Sequence, residues 1–201
     1  MSGGGWNDTI FGGCGFDDIY GGSSNDILNG GLGNDTVIGG DGLDLASYEG
    51  AGSAVTVSLA NSAAQNTGGA GTDRLMAMEG LIGSSYADAL TGDIGANWLD
   101  GGAGNDTISG LSGDDTLLGG TGRDYIDGGA DNDSLSGGGG RDTLLGGSGD
   151  DTLDGGNGPD ELAGGTGADS ILGGAGNDLI FAAQGDTIDA GAGDDTITLV
   201  D

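Results

Sequence analysis

Aspartate recurs every nine residues through most of this chain, always in the same glycine-rich company. Between Gly101 and Phe181 the phrase GGxGxDxUx, in which U is a large aliphatic residue, is written nine times in unbroken register, as in GGAGNDTIS and GGSGDDTLD. A simple turn in which a side chain bonds its own backbone accepts Asn as readily as Asp. The sixth place holds Asp almost every time, so the spacing favours a metal ligand over a turn residue.

The other residues of the phrase fit the same chemistry. Its glycines allow the positive φ angles of a tight reversal. Such a bend turns backbone carbonyl oxygens inward beside the carboxylate, and calcium prefers six to eight oxygen ligands at about 2.3–2.6 Å. The last three residues of each phrase, such as Thr-Leu-Leu at 143–145, predict a short β-strand whose middle residue points to one side.

The repeated phrase strongly resembles the RTX (hemolysin-type calcium-binding) nonapeptide repeat, over nearly the whole chain. The resemblance implies an all-β fold, a right-handed parallel β-roll with two short-stranded parallel sheets and calcium in the GGxGxD turns. Two successive repeats make one coil, so repeat i lies over repeat i+2 and shares an ion with it. Asp124 would then share calcium with Asp142, Asp133 with Asp151, and Asp142 with Asp160.

The resemblance also assigns roles to two larger sets of residues. The aliphatic U residues would fill the thin space between the sheets: Ile126, Leu135, Leu144, Leu153, Leu162, Ile171 and Ile180. The sixth-place aspartates would be the metal ligands: Asp8, Asp17, Asp26, Asp35, Asp44, Asp106, Asp115, Asp124, Asp133, Asp142, Asp151, Asp160, Asp169, Asp178 and Asp195. We expect about ten or more Ca²⁺ ions, and no other cofactor. Asn97 stands in a sixth place without a charge, and the unit containing Asp186 is one residue short, so the sites at these two positions are expected to be weak.

The charge and composition exclude several function classes. The 201 residues include 33 Asp or Glu and only 3 Lys or Arg, a formal charge of −30, which disfavours binding to nucleic acid or to an anionic membrane. No window has the length and hydrophobicity of a transmembrane helix. The chain has no His, which removes most zinc sites and Ser-His or Cys-His nucleophiles, and Cys14 stands alone. We therefore expect no catalysis in this chain.

The register of the repeats divides the chain into three parts. Residues 3–47 and 83–201 are expected to form two roll blocks. In residues 48–82 the pattern predicts a strand over Ala54–Leu59, a polar Gly-rich loop over Asn61–Thr72 and a second apolar cluster over Arg74–Ile82. The stretch EGLIGSS (79–85) is similar to a segment that RTX proteins carry between blocks. We favour a cap that closes one roll and starts the next over a special partner site.

Two physical expectations follow for function. One aliphatic residue per repeat gives a thin core, and carboxylates stacked about 4.8 Å apart repel one another, so the chain should be largely unfolded without calcium. A signal peptide is not evident, and the resemblance implies a secreted, extracellular module exported by a type I secretion apparatus. The alternatives are a structural or adhesin spacer, or an accessory module of an RTX protease, lipase or epimerase whose catalytic domain lies elsewhere.

Overall fold

A computed structural model describes residues 1–200, which form 23 short strands and no helix. The strands stack coil upon coil into a solenoid of about 11 coils. One face is a single parallel sheet of ten strands, here called the long sheet: β2 (Thr9–Gly15), β4 (Ile27–Gly33), β6 (Leu45–Ser47), β10 (Gly80–Ile82), β12 (Trp98–Ala103), β14 (Thr116–Gly122), β16 (Ser134–Gly140), β18 (Thr152–Asn157), β20 (Ser170–Leu172) and β22 (Thr187–Asp189).

The opposite face is divided between two sheets. The N-terminal sheet contains β1 (Ser2–Gly4), β3 (Asp18–Ser23), β5 (Thr36–Asp41), β9 (Thr72–Met76) and β8 (Gln65–Asn66). The C-terminal sheet contains β7 (Thr56–Ser58), β11 (Ala89–Thr91), β13 (Thr107–Ser112), β15 (Tyr125–Ala130), β17 (Thr143–Ser148), β19 (Glu161–Thr166), β21 (Leu179–Ala182) and β23 (Thr196–Leu199).

The strand register confirms the expected coil of two repeats. Thr116 pairs with Ser134 and Ser134 with Thr152, so in the regular coils each strand lies over the strand 18 residues away. The same offset joins Ile108 to Ile126 on the opposite face. This is the all-β parallel roll that the repeat pattern predicts.

The aliphatic U residues form the core, as predicted. Each points inward from the middle of a three-residue strand segment, and its two neighbours point outward because side chains alternate along a strand. The seven predicted core residues, from Ile126 to Ile180, have only 0% to 2% of their surface exposed. This buried aliphatic row runs from Ile19 to Ile180, with Ala46 at one U place, whereas the last U residue, Ile197, is 48% exposed.

The two faces of the roll differ at the middle segment, residues 48–82. On one face the long sheet crosses it, because Ala46 of β6 pairs with Leu81 of β10, and Leu81 pairs with Leu99 of β12. On the other face β9 ends the N-terminal sheet, with β8 antiparallel beside it, and β7 starts the C-terminal sheet. We had expected a loop over Asn61–Thr72, but this stretch contains β8 and the first residue of β9.

Within this segment Val55 and Val57 are buried as the predicted strand requires, each 1% exposed. The segment thus closes one sheet and begins another, while the ten-strand face runs on. The division into 3–47, 48–82 and 83–201 stays a prediction. One sheet crosses both of its boundaries.

Candidate metal centres

Stacked turns bring the sixth-place aspartates into columns along both edges of the roll. The backbone N–H of Asp124 donates to Asp142 Oδ1 at 2.8 Å, and that of Asp142 donates to Asp160 Oδ1 at 2.8 Å. On the other edge Asp133 makes the same 2.8 Å bond to Asp151. The three pairs that we expected to share an ion are therefore neighbours in the structure.

A second, outer column holds the fifth places of the turns together, in the opposite direction. Asn105 Oδ1 accepts a hydrogen bond from Arg123 N–H at 2.8 Å, and Asn132 Oδ1 accepts one from Asp150 N–H at 2.8 Å. Here the acceptor belongs to the earlier coil, whereas in the inner column it belongs to the later one. An inner aspartate such as Asp142 is therefore hydrogen-bonded both to the coil before it and to the coil after it.

The second oxygen of each inner carboxylate has no such partner. Fourteen Oδ2 atoms are buried and accept no hydrogen bond from any described residue: those of Asp8, Asp17, Asp26, Asp35, Asp44, Asp106, Asp115, Asp124, Asp133, Asp142, Asp151, Asp160, Asp169 and Asp178. These are fourteen of the fifteen predicted ligands. The fifteenth, Asp195, is half-buried and accepts a 3.0 Å hydrogen bond from Asp178 N–H through Oδ1.

Burial without a partner disfavours the charged form of these carboxyls. Desolvation raises the pKa of Asp106 and Asp124 to about 6 and that of Asp133 and Asp160 to about 7; the backbone hydrogen bond partly offsets it, and neighbouring carboxylates add to the rise. A buried polar atom without a partner costs free energy. A column of such atoms therefore indicates that a cation belongs beside them.

The surroundings of Oδ2 fit calcium. A Cβ placed on Gly119 would stand 2.6 Å from Asp124 Oδ2 and 2.8 Å from the carbonyl oxygen of Gly137, one coil further on. Glycine at this place keeps open a space that both oxygens face. Among residues 1–200 no three carboxylate or cysteine side chains come together as a metal-binding group. An ion between coils would therefore draw on carboxylates and backbone carbonyls, the hard oxygen ligands of calcium.

One column contains a repeat that we missed. Residues 68–76 read GGAGTDRLM, a complete copy of the phrase that lies outside the nine-residue frame of its neighbours. Its Asp73 takes the place above Asp35, whose N–H donates to Asp73 Oδ1 at 3.0 Å. The match to the phrase was a sufficient signal, but the broken frame concealed it.

Asp73 differs from the repeat aspartates because protein groups donate hydrogen bonds to its second oxygen, Oδ2. Thr67 Oγ1 donates to Asp73 Oδ2 at 3.0 Å, and the hydroxyl of Tyr48 lies beside the same carboxylate. Thr67 and Tyr48 are buried, and burial raises the pKa of Tyr48 well above its usual value, so Tyr48 remains a donor. This carboxylate ends its column without needing a metal.

Asp88 begins the corresponding column of the C-terminal sheet in a similar way. Its Oδ1 accepts hydrogen bonds from Val55 N–H at 2.7 Å and from Ser84 Oγ at 2.8 Å, and its Oδ2 accepts one from Ser84 N–H. It was absent from our ligand set because its turn, GSSYAD, keeps only the first glycine of the phrase.

The two sites expected to be weak also have protein partners. Asn97 Oδ1 accepts a hydrogen bond from Asp93 N–H at 2.6 Å, and Asn97 N–H donates to Asp115 Oδ1 at 2.7 Å. Asp186 Oδ2 accepts from Ala183 N–H at 2.6 Å. Both residues keep their place in the column, but neither presents an orphaned oxygen.

A family model described as the RTX calcium-binding nonapeptide repeat matches most of the chain, at residues 2–37, 11–46, 82–117, 109–144, 118–153, 154–186 and 183–199. The chain belongs to the RTX calcium-binding repeat family. Its roll is therefore a calcium-binding module, which agrees with the oxygen-lined turns described above. Comparison of this RTX chain with the curated proteins gives no match. Its residues 1–200 contain no helix suited to crossing a membrane.

Proposed function

We propose that this chain is a secreted module that folds when calcium binds between its stacked turns. The observation that supports the proposal most strongly is the set of fourteen buried Oδ2 atoms without partners. A polypeptide that folds alone satisfies its buried polar groups. This chain instead leaves Oδ2 of the sixth-place aspartate without a hydrogen bond in coil after coil. That oxygen faces a backbone carbonyl oxygen.

In each regular site the chain supplies the ligands and the ion supplies positive charge. In the coil that starts at Gly119, Asp124 Oδ2 and the carbonyl of Gly137 would hold the ion, with Asp142 contributed by the next coil. The bond from Asp124 N–H to Asp142 Oδ1 orients both carboxylates. Because each carboxylate belongs to two neighbouring turns, filling one site orders a ligand of the next.

Coupling of folding to calcium follows from the energetics. A ligand that binds only the folded state stabilises it by RT ln(1 + [L]/Kd), about 1.4 kcal/mol per site at ten times the Kd. Ten sites would together contribute about 14 kcal/mol, as much as a whole stable domain possesses. Without calcium the same carboxylates oppose folding through desolvation and mutual repulsion. We therefore expect a steep transition from disordered chain to roll.

The same argument supports an extracellular role. Calcium modules that work outside cells bind at about 10⁻⁴–10⁻³ M, far above cytosolic calcium. A chain that stays unfolded inside the cell could pass through a type I secretion apparatus and fold after export. Catalysis, if the parent protein has any, would lie outside these residues.

A calcium titration followed by far-ultraviolet circular dichroism tests the proposal. We expect a disordered spectrum in chelator and a cooperative rise of β-structure with calcium, with no comparable rise in magnesium, because magnesium demands a stricter octahedral geometry. A fully formed β-roll in excess chelator would refute the coupling.

A spacer role is the second candidate, and the continuous long sheet favours it. Nine spacings of about 4.8 Å make this sheet about 43 Å long, and it crosses the middle segment without a break. A calcium-loaded roll of this kind would hold neighbouring domains at a fixed distance. Small-angle scattering in calcium and in chelator tests this, because a spacer must change from a flexible chain to a rod of about this length.

A further inference from the structure

One turn of the long-sheet edge departs from the six-residue pattern. Between β9 and β10 the chain turns in three residues, Ala77, Met78 and Glu79, where other coils use GGxGxD. The family match leaves residues 47–81 uncovered. No glycine or aspartate of the repeat phrase is present in this turn.

Glu79 nevertheless takes the place of a sixth-position aspartate. Its Oε2 accepts a hydrogen bond from Asp44 N–H at 2.9 Å, and its backbone carbonyl accepts one from Trp98 N–H at 3.0 Å. In regular coils Asp142 makes the first of these bonds with Asp124, and Asp124 makes the second with Thr143. Glutamate is one methylene longer than aspartate, and this extra reach compensates for the missing residues of the turn.

Ala77 takes the place of the first glycine of the phrase. In regular coils the carbonyl of a first-place glycine faces the first-place glycine of the preceding coil, as Gly137 faces Gly119. Here the carbonyl of Ala77 faces Gly39 in the same manner. The backbone of Ala77 has a φ of +48°, a conformation that is unfavourable for a residue with a Cβ.

The carboxylate beneath this turn lacks a partner. Asp44 is fully buried, with 0% of its surface exposed, and its Oδ2 accepts no hydrogen bond from any residue of the described chain. A Cβ on Gly39 would stand 2.6 Å from this Oδ2 and even closer to the carbonyl of Ala77. The orphaned oxygen therefore faces the same glycine-lined space that the regular sites have.

We propose that Asp44, Glu79 and the carbonyl of Ala77 form a divalent-cation site that joins the two blocks of repeats. This inference rests on the proposed calcium function and extends it into the part of the chain without the repeat phrase. The long-sheet edge then continues from Asp44 through Glu79 to Asn97, so calcium bound before the middle segment is coupled to the coils beyond it.

An access route leads to the same place. Glu79 lines a cleft of about 250 Å³ together with Asp93 and Met78. Burial raises the pKa of Glu79, and the carboxylates of Asp44 and Asp93 add to the rise. The two charged neighbours that raise the pKa of Glu79 are both carboxylates, as a cation site requires.

Counting bound ions by native mass spectrometry, with hydrogen exchange to locate the change, tests the proposal. In Glu79→Gln the amide oxygen can still accept from Asp44 N–H, but the charge is lost. We expect one calcium fewer than in the wild-type chain and faster exchange in calcium over residues 39–47 and 77–82. Asp150→Asn is the matched control, because the exposed Asp150 lies in the outer column, where its Oδ1 accepts from Ala168 N–H, and it should keep the full ion count.

An unchanged ion count in Glu79→Gln would overturn the inference. Asp142→Asn separates this failure from failure of the proposed function, because it alters a regular site and must lose ions if the repeats bind calcium. If Asp142→Asn also keeps every ion, the calcium function itself is wrong.

Glu79→Asp gives a second test in case Glu79→Gln fails to fold. It keeps the charge but loses the reach that the three-residue turn requires. We expect it to lose the same single ion, and a full ion count in this variant would contradict the geometry proposed here.

Discussion

The regular coils from Gly101 to Phe181 and the middle segment stack carboxylates in the same way but satisfy them differently. In the regular coils every inner aspartate leaves its Oδ2 without a partner. In the middle segment Asp73 Oδ2 accepts a hydrogen bond from Thr67, and just beyond it, where the C-terminal sheet begins, Asp88 accepts one from Ser84. In both regions the backbone N–H of one aspartate donates a hydrogen bond to Oδ1 of the aspartate in the next coil.

Under the proposed function, the difference separates the carboxylates that an ion would satisfy from those that protein donors satisfy. Hydroxyl donors serve the last carboxylate in the column of the N-terminal sheet, Asp73, and the first in the column of the C-terminal sheet, Asp88. Inside the columns, the proposed ion between coils would take the place of such donors. The predictions below change one region at a time and compare it with the other.

Acidification of calcium-free protein should have the largest effect, because it acts together on the ten orphaned carboxyls whose pKa burial raises. Their folded pKa values of about 6 to 7 at Asp106, Asp124, Asp133 and Asp160 lie above the ordinary 3.8. The folded state therefore holds protons that the unfolded chain has released. The stability contributed by these protons is complete below pH 3.8 and is lost as pH rises through 6 to 7.

Circular dichroism of calcium-stripped protein measures this dependence. We expect more β-structure at about pH 5 than at about pH 7.5, and the opposite trend for calcium affinity, because protons compete with the ion. Loss of β-structure on acidification of the stripped protein would contradict the account.

Removing one inner carboxylate comes next. Asp142→Ala takes away an orphaned oxygen and the acceptor of Asp124 N–H, and should lower the free energy of unfolding in saturating calcium by about 3 kcal/mol or more. Chemical denaturation measures it. Asp150→Ala is the control, because the exposed Asp150 accepts only the outer bond from Ala168 N–H and should cost about 1 kcal/mol. Equal losses would argue against a special role for the inner column.

The hydroxyl donor to Asp73 in the middle segment should be removable without loss of metal. Thr67→Val keeps the shape of the side chain and removes the donor to Asp73 Oδ2, at a cost of about 1–3 kcal/mol. Native mass spectrometry should find the wild-type number of calcium ions in this variant, in contrast to Asp142→Ala. A lower ion count would show that Thr67 supports a metal site after all.

Relief of backbone strain should give the smallest effect, and a stabilising one. Leu111 occupies a turn-glycine place with a φ of +82°, which costs roughly 1–2 kcal/mol for a residue with a Cβ. Leu111→Gly should gain about 1 kcal/mol in thermal or chemical unfolding. Leu111→Ala removes the side chain but keeps the strain and should show no gain. A matching gain in the alanine variant would place the effect in the exposed side chain instead.

The sequence was enough to predict the regular coils, because each residue type there has one physical reason for its place. Asp142, Leu144 and the first-place glycines recur at a fixed interval, so the period predicts the short strand, its inward aliphatic residue and the metal-ligand aspartate, and the resemblance to the RTX repeat implies the coil of two repeats. Leu111 and Asp131 were recognisable as departures from glycine, and both have the positive φ of that place.

The middle segment could not be predicted in the same way. Asp73 belongs to a full copy of the phrase, but the insertion before it shifts the frame. Glu79 carries no repeat signature, because a three-residue turn and a longer side chain replace the phrase. Its role depends on Ala46 pairing with Leu81 across the intervening residues, a long-range contact that no local pattern encodes.

A crystal grown in calcium, with anomalous diffraction collected to locate the ions, tests the central claim most directly. The account predicts anomalous peaks beside the orphaned Oδ2 atoms from Asp106 to Asp178, and none beside Asp73 Oδ2, which Thr67 already serves. Water molecules, or no density, beside the carboxylates of the regular coils would contradict it.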